Sequence, residues 1–184
     1  FRDRLGIKPL YYRLDEDSLS FASEVKALRV LHDQASQCNF SAVHEWLYYG
    51  TTLGERTLHQ GIHKLLPGHY LELDLTTFSS KIECYWSPTN YAAHNKFSGS
   101  VNEQVQKTHD LLEQAVKRQL VSDVPVGVFL SGGVDSSAIT AFASRHYKGK
   151  LATYSVGFDF DKGINELPRA KEIAQLYGTD HHEL

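Results

Sequence analysis

The sequence predicts an α+β part followed by an α/β part with a parallel sheet, and three observations carry that prediction. Near the start, LYYRL and LSFA flank a polar DEDS tip, the pattern of an antiparallel hairpin. Beyond residue 100, strand-like and helix-like runs alternate, the order that builds parallel sheets. Between them, residues 87–100 read SPTNYAAHNKFSGS, polar and small with no apolar period, and this stretch reads as a linker. The expected organisation is therefore 1–86, a linker over 87–100, and 101–184.

Taken in order, the elements each have a local reason. Ser23 is placed to cap a helix through SEVKALRVL, and SAVHEWLYYG predicts a second helix ending near Gly50. HYLELDL and KIECYW return to strand character. The charged RLDEDS run is a solvated hairpin tip, and Arg2, Arg4 and Lys8 are expected to make local salt bridges. Trp46, Tyr48 and Tyr49 in EWLYYG fall at helical spacing, which favours core or interface packing over a stacking platform.

Ser100 opens SVNE, a capping box, and Val101, Val105, Leu112, Val116 and Leu120 keep mostly to one face of the helix that follows. VPVGVFL then reads as a short buried strand, SSAITAFASRHY as a helix, LATYSVGF as a second strand and ELPRAKEIAQLYG as a helix stopped at Gly178.

Composition narrows the function classes. With 184 residues, 41% hydrophobic and 22% charged, the chain has ordinary globular content. Its formal charge of −3 is spread without a basic stripe, which argues against nucleic acid as a partner. No signal peptide or membrane-spanning run is present, and two cysteines, Cys38 and Cys84, fit a reducing cytoplasm. The chain lacks methionine and opens with FRDRLGIKPLYYR, which reads as the inside of a folded unit, so a piece of something longer is expected.

LSGGVDSSA, Leu130 to Ala138, carries the chemistry. If VPVGVFL is a parallel strand, the loop lies at its carboxyl end, and Ser136 and Ser137 start the next helix where unpaired N–H groups point outward. Gly132 and Gly133 allow positive φ and close backbone approach, and Ser131, Ser136 and Ser137 add hydroxyl donors; a phosphate chain satisfies all of them. Asp135 beside bare phosphate would repel it, which assigns this carboxylate to Mg²⁺. The plain alternative is a tight strand-to-helix turn with Ser and Asp as caps, against which the three hydroxyls, the carboxylate and the βα setting count together.

Spacing rejects two other motifs. Gly127 to Gly132 has Walker A spacing, but Gly133 and Val134 stand where lysine and Ser or Thr belong. Ser131 lacks the glycine at Phe129 that a hydrolase nucleophile elbow requires. His181, His182 and Glu183 suggest zinc, yet adjacent strand residues face opposite ways, so packing is the expected role.

SGGVDSS, Ser131 to Ser137, resembles the pyrophosphatase loop (PP-loop) of ATP-dependent amide ligases. Together with DRLGIKPLYY, FASEVKAL, LLPGHYLELD, YWSP, YSVGF and GTDHHEL, it makes the chain similar to the glutamine-hydrolysing asparagine synthetase family over almost its whole length. The resemblance implies the C-terminal part of an N-terminal nucleophile glutaminase sheet, then a truncated PP-loop domain. It implies ATP and Mg²⁺ as cofactors, aspartate and glutamine or ammonia as substrates, and a homodimer for the full-length protein. Carried over by residue, Ser131, Gly132, Gly133, Asp135, Ser136 and Ser137 match the pyrophosphate and Mg²⁺ loop. Leu130 and Val156 match positions lining the adenosine.

The family's glutaminase nucleophile is an N-terminal cysteine, whereas this chain begins at Phe1 and its cysteines are internal. As given, the chain is expected not to hydrolyse glutamine, and to bind ATP at most weakly. A relative amidating another carboxylate, as β-lactam synthetases act on theirs, and a nucleotide-binding protein without catalysis remain open at this level.

Overall fold

The computed structural model describes residues 1–31, 37–94, 98–157 and 165–184. The chain divides into two compact units, Phe1–Lys96 and Phe97–Leu184. Among the described residues, no helix is long and apolar enough to cross a membrane.

In the first unit, β1 (Tyr11–Leu14) and β2 (Leu19–Ala22) form the expected antiparallel hairpin, with Tyr12 opposite Phe21. Asp15 N donates to Ser18 O at 2.9 Å to close the turn, and Arg13 pairs with Asp15 at the tip. α1 (Val25–Leu31) buries Leu28. It begins two residues after Ser23, so that serine does not sit at the capping position.

α2 (Phe40–Tyr49) starts on Asn39, whose Oδ1 accepts from Ala42 N at 3.3 Å, and stops at Gly50. Ala42 is its buried residue, so the helix is seated by its first turn. Trp46, Tyr48 and Tyr49 are 48%, 82% and 58% exposed, which corrects the core-packing expectation within this unit. β3 (His63–Lys64) adds to the free side of β1, and β4 (His69–Leu73) pairs antiparallel with β5 (Ser80–Cys84). Tyr12, Leu28, Ala42, Ile62 and Leu65 form the buried apolar set. α3 (Pro88–His94) lies inside the stretch expected as a linker. Ser87 Oγ accepts from Asn90 N at 3.1 Å, and a proline in the first turn gives up no hydrogen bond, so a helix starts here without an apolar period.

Among the described residues, Arg2 does not make the expected salt bridge. Its guanidinium donates to three carbonyls, Lys8 O at 3.1 Å, Leu65 O at 2.7 Å and Gly6 O at 3.0 Å, and so ties the first loop to the residues before β4. Asp3 tightens the same loop by accepting from Ile7 N at 2.9 Å and Lys8 N at 3.0 Å.

Those two bonds, Lys8 first, hold the Asp3 carboxyl below its ordinary range. A depressed acid stabilises the fold above the unfolded-state value, and that contribution is lost as pH falls through the lower folded value. The Ile7 amide resonance should therefore titrate with a midpoint below that of an unstructured aspartate; a midpoint at or above it would contradict the contact.

The second unit opens with α4 (Val101–Gln119), and its capping box is complete. Ser100 N donates to Glu103 Oε2 at 2.8 Å, and Glu103 N donates to Ser100 Oγ at 3.4 Å. Val101 and Val105 are 73% and 63% exposed, while Leu112, Val116 and Leu120 line a groove with Ile139 and Ala143 of the next helix. β6 (Gly127–Phe129), α5 (Val134–His146), β7 (Ala152–Ser155), α6 (Leu167–Tyr177) and β8 (Asp180–Glu183) follow.

The strands lie in the order β6-β7-β8, all parallel, in the register Val128↔Thr153↔His181. One face is covered: Leu130 packs with Ala170 and Ala174 of α6, and Thr153 and Ser155 are buried. Burying a leucine in this way contributes about 2 kcal/mol. The opposite face carries Phe129, Tyr154 and His182, and Phe129 is 79% exposed, so β6 is not the buried strand its composition predicts. An apolar run as short as VPVGVFL is compatible with one covered face or with two, and the number is set by which segments pack on the sheet.

Candidate functional site

The loop after β6 is held from three sides. Leu130 N donates to Tyr154 O at 2.8 Å, continuing the parallel ladder, and the Ser155 hydroxyl donates to Leu130 O. The buried Leu130 side chain then fixes where the loop leaves the sheet. Gly132 has φ 72° and packs directly on α6: a Cβ built there would lie 2.8 Å from Ala170 N and 3.0 Å from Arg169 Cβ. Only glycine meets both conditions.

Within the loop the hydroxyls are organised among themselves. Ser131 Oγ and Ser136 Oγ are 2.9 Å apart, Ser131 N donates to Ser136 Oγ at 3.3 Å, and Gly133 N donates to Ser131 Oγ at 3.3 Å. Gly133 is the N-cap of α5 and supplies no side chain, so the first N–H groups of the helix lack a cap. Ser137 Oγ is buried and has no hydrogen-bond partner among the described residues. Burying an unpaired hydroxyl costs about 1–3 kcal/mol, so this is a place where an acceptor from outside the chain would be stabilising.

Asp135 lies exposed in the first turn of α5, and among the described residues it has no hydrogen-bond or ion-pair partner. A carboxylate there also gains from the helix dipole, about 0.3–1 kcal/mol. No group of three or more His, Cys, Asp or Glu residues among the described residues could hold a metal ion by itself. A lone carboxylate suits Mg²⁺, which commonly takes one or two protein carboxylates and fills its shell with phosphate oxygens and water. The orphaned Ser137 hydroxyl and the uncapped helix start fit a phosphate chain beside it.

Leu130, Ser131 and Val156, three of the residues picked out in the sequence, line one open pocket of about 310 Å³ with Phe129, Tyr154, Ser155, Glu166 and Leu167. Its walls are mainly apolar, and its size lies at the small end of ligand sites. Gly132, Gly133, Ser136, Asp135 and Ser137 continue from it into α5. Sequence reasoning missed Ser155, Glu166 and Leu167. A serine inside an apolar strand was a usable signal for the first, whereas the other two join the site only through the β7–α6 crossover.

His181 and His182 take opposite faces of β8. His181 Nδ1 is 3.0 Å from the buried Thr153 Oγ1, and the His182 ring stacks on Tyr154 at 5.2 Å.

Two family patterns match the chain, the glutamine amidotransferase domain over residues 1–86 and asparagine synthase over residues 107–184. Asparagine synthetase (glutamine-hydrolyzing) 3 of Bacillus subtilis is 35% identical across 99% of this chain. The chain belongs to the glutamine-hydrolysing asparagine synthetase family. Another Bacillus subtilis member of this family, asparagine synthetase (glutamine-hydrolyzing) 1, is 32% identical across 98% of the chain, and amidase chyE of Penicillium rubens is 31% identical across 98%. The chain spans 31%, 27% and 28% of these three proteins, under a third of the length of each. Both synthetase and amidase names thus occur among its relatives, while residues 130–138 lie inside the asparagine synthase match.

Proposed function

We propose that the second unit binds Mg²⁺–ATP at Leu130–Ser137, and that the full-length protein is an amide ligase converting aspartate to asparagine with ammonia from glutamine. The observation that carries this reading is the loop itself: an uncapped helix start and an unpartnered buried Ser137 hydroxyl at the carboxyl end of a parallel strand, in a loop fixed by the close packing of Gly132 on α6. The family relationship supports amide ligation by glutamine-dependent enzymes.

In this reading Leu130 and Val156 bind the adenosine, and Asp135 holds Mg²⁺. The ion supplies charge neutralisation on the phosphate oxygens. An oxygen of the aspartate side-chain carboxylate attacks the α-phosphorus, and the bond to the bridging oxygen breaks. Pyrophosphate leaves with that electron pair while the Ser131, Ser136 and Ser137 hydroxyls and the α5 N–H groups donate to it. Ammonia then attacks the acyl carbon of aspartyl-AMP, AMP departs, and one proton is released. Without the first step the carboxylate is a poor electrophile, which is why ATP is consumed. The two free, exposed thiols Cys38 and Cys84 support a reducing, cytoplasmic setting.

The test is an assay of the full-length protein with ATP, glutamine and aspartate, scoring AMP and pyrophosphate against ADP and phosphate. Asparagine with AMP and pyrophosphate is expected, falling about a hundredfold or more in Asp135→Asn. ADP and phosphate as products would refute the loop assignment. A second reading is a related ligase in which another carboxylate is activated, since the family relationship supports glutamine-dependent amide ligation without fixing the acid. AMP and pyrophosphate formed only with a different acid would establish it.

A further inference from the structure

We infer that Glu166 is the residue that recognises the ribose hydroxyls of the bound nucleotide; this rests on the ATP reading of the loop. Glu166 is the only carboxylate among the described residues lining the pocket shared by Leu130, Ser131 and Val156. It stands at the N-cap of α6, where a side-chain oxygen would ordinarily accept from the first free N–H groups. Here Asn165 takes that role instead, its Oδ1 accepting from Leu167 N at 3.1 Å, and Pro168 brings no N–H to satisfy. The Glu166 carboxylate makes no capping bond and has no hydrogen-bond or ion-pair partner among the described residues. Four acceptor positions therefore stand at a mainly apolar pocket.

Position along α6 decides which part of the nucleotide it meets. Ala170 N abuts Gly132 of the proposed phosphate loop, and Glu166 lies one helical turn before it, about 5–6 Å along the axis. A carboxylate over the phosphates themselves would be repelled by them. One turn away it reaches the sugar, whose two hydroxyls are donors matched to a bidentate carboxylate acceptor. The base lies farther on and carries a single exocyclic amine.

Calorimetric titration of the full-length protein with Mg²⁺ and either ATP, 2′,3′-dideoxy-ATP or ITP tests this. The wild type should prefer ATP to the dideoxy nucleotide by about tenfold, the scale of one charge-assisted hydrogen bond at a partly exposed site. Glu166→Ala should bind ATP and dideoxy-ATP alike, at the wild-type dideoxy affinity, and Glu166→Gln should recover part of the difference. An unchanged preference in Glu166→Ala overturns the assignment. So does an equal loss for both nucleotides, or a change confined to ATP against ITP, which would place the carboxylate on the base. If the wild type binds none of them, the loop reading has failed first, a result distinct from ATP binding that ignores residue 166.

Discussion

Gly132→Ala should abolish nucleotide binding and destabilise the second unit by about 2 kcal/mol or more. Two penalties combine. The backbone at φ 72° is the left-handed region, which costs an L-residue about 1–2 kcal/mol. The new methyl would also lie 2.8 Å from Ala170 N and 3.0 Å from Arg169 C, against helix backbone that has no flexible end to move aside. Relief of that clash separates α6 from the loop, and with it the Leu130–Ala170–Ala174 contact. For stability, Gly133→Ala is the comparison: its φ of −71° is ordinary rather than the positive value expected of both glycines, and its Cβ would meet only the Ser131 hydroxyl at 3.3 Å. Thermal unfolding should separate the two variants clearly, and ATP titration of Gly132→Ala reads the loss of binding. Wild-type affinity and melting temperature in Gly132→Ala would show that this close packing is unnecessary.

Gly68→Ala should be the most damaging single methyl in the first unit, at about 3 kcal/mol. Its φ is 68°, and an added Cβ would lie 2.1 Å from Trp86 O, closer than any real contact. The residue cannot move away because three hydrogen bonds converge on it. Gly68 N donates to Asp3 O at 3.1 Å, and its carbonyl accepts from Tyr85 N at 2.9 Å and Trp86 N at 3.2 Å. Shifting it therefore detaches the Arg2–Asp3 loop and the end of β5 together. Urea unfolding of the variant should show a midpoint lowered in proportion, and an unaltered midpoint would mean that the turn is softer than this geometry requires.

The candidate site is partly legible in the sequence because its main parts are contiguous. Ser131, Gly132, Gly133, Asp135, Ser136 and Ser137 follow one another along seven residues, so their types and order display the donors, the turn and the carboxylate before any fold is known. The same locality makes the capping box at Ser100 and Glu103 and the β1–β2 hairpin readable, since each depends on neighbours within a few residues. Arg2 escapes such reading because its partners include the Leu65 carbonyl, sixty-three positions away, and backbone carbonyls leave no trace in residue types.

What the sequence by itself determined is the periodic and punctuated part of this protein: antiparallel pairing first, strand–helix alternation afterwards, and a loop rich in donors between a strand and a helix. What only the tertiary structure decided is which surfaces meet. Ser155 reaches back to Leu130 because β7 lies beside β6, and Glu166 faces the pocket because α6 returns over the sheet; the exposure of Phe129, Trp46 and Tyr48 followed from where the covering layers end. Hydrogen bonding and helical period act over a few residues and are written in order along the chain. Burial depends on which distant segment arrives at a surface, and composition does not carry that information.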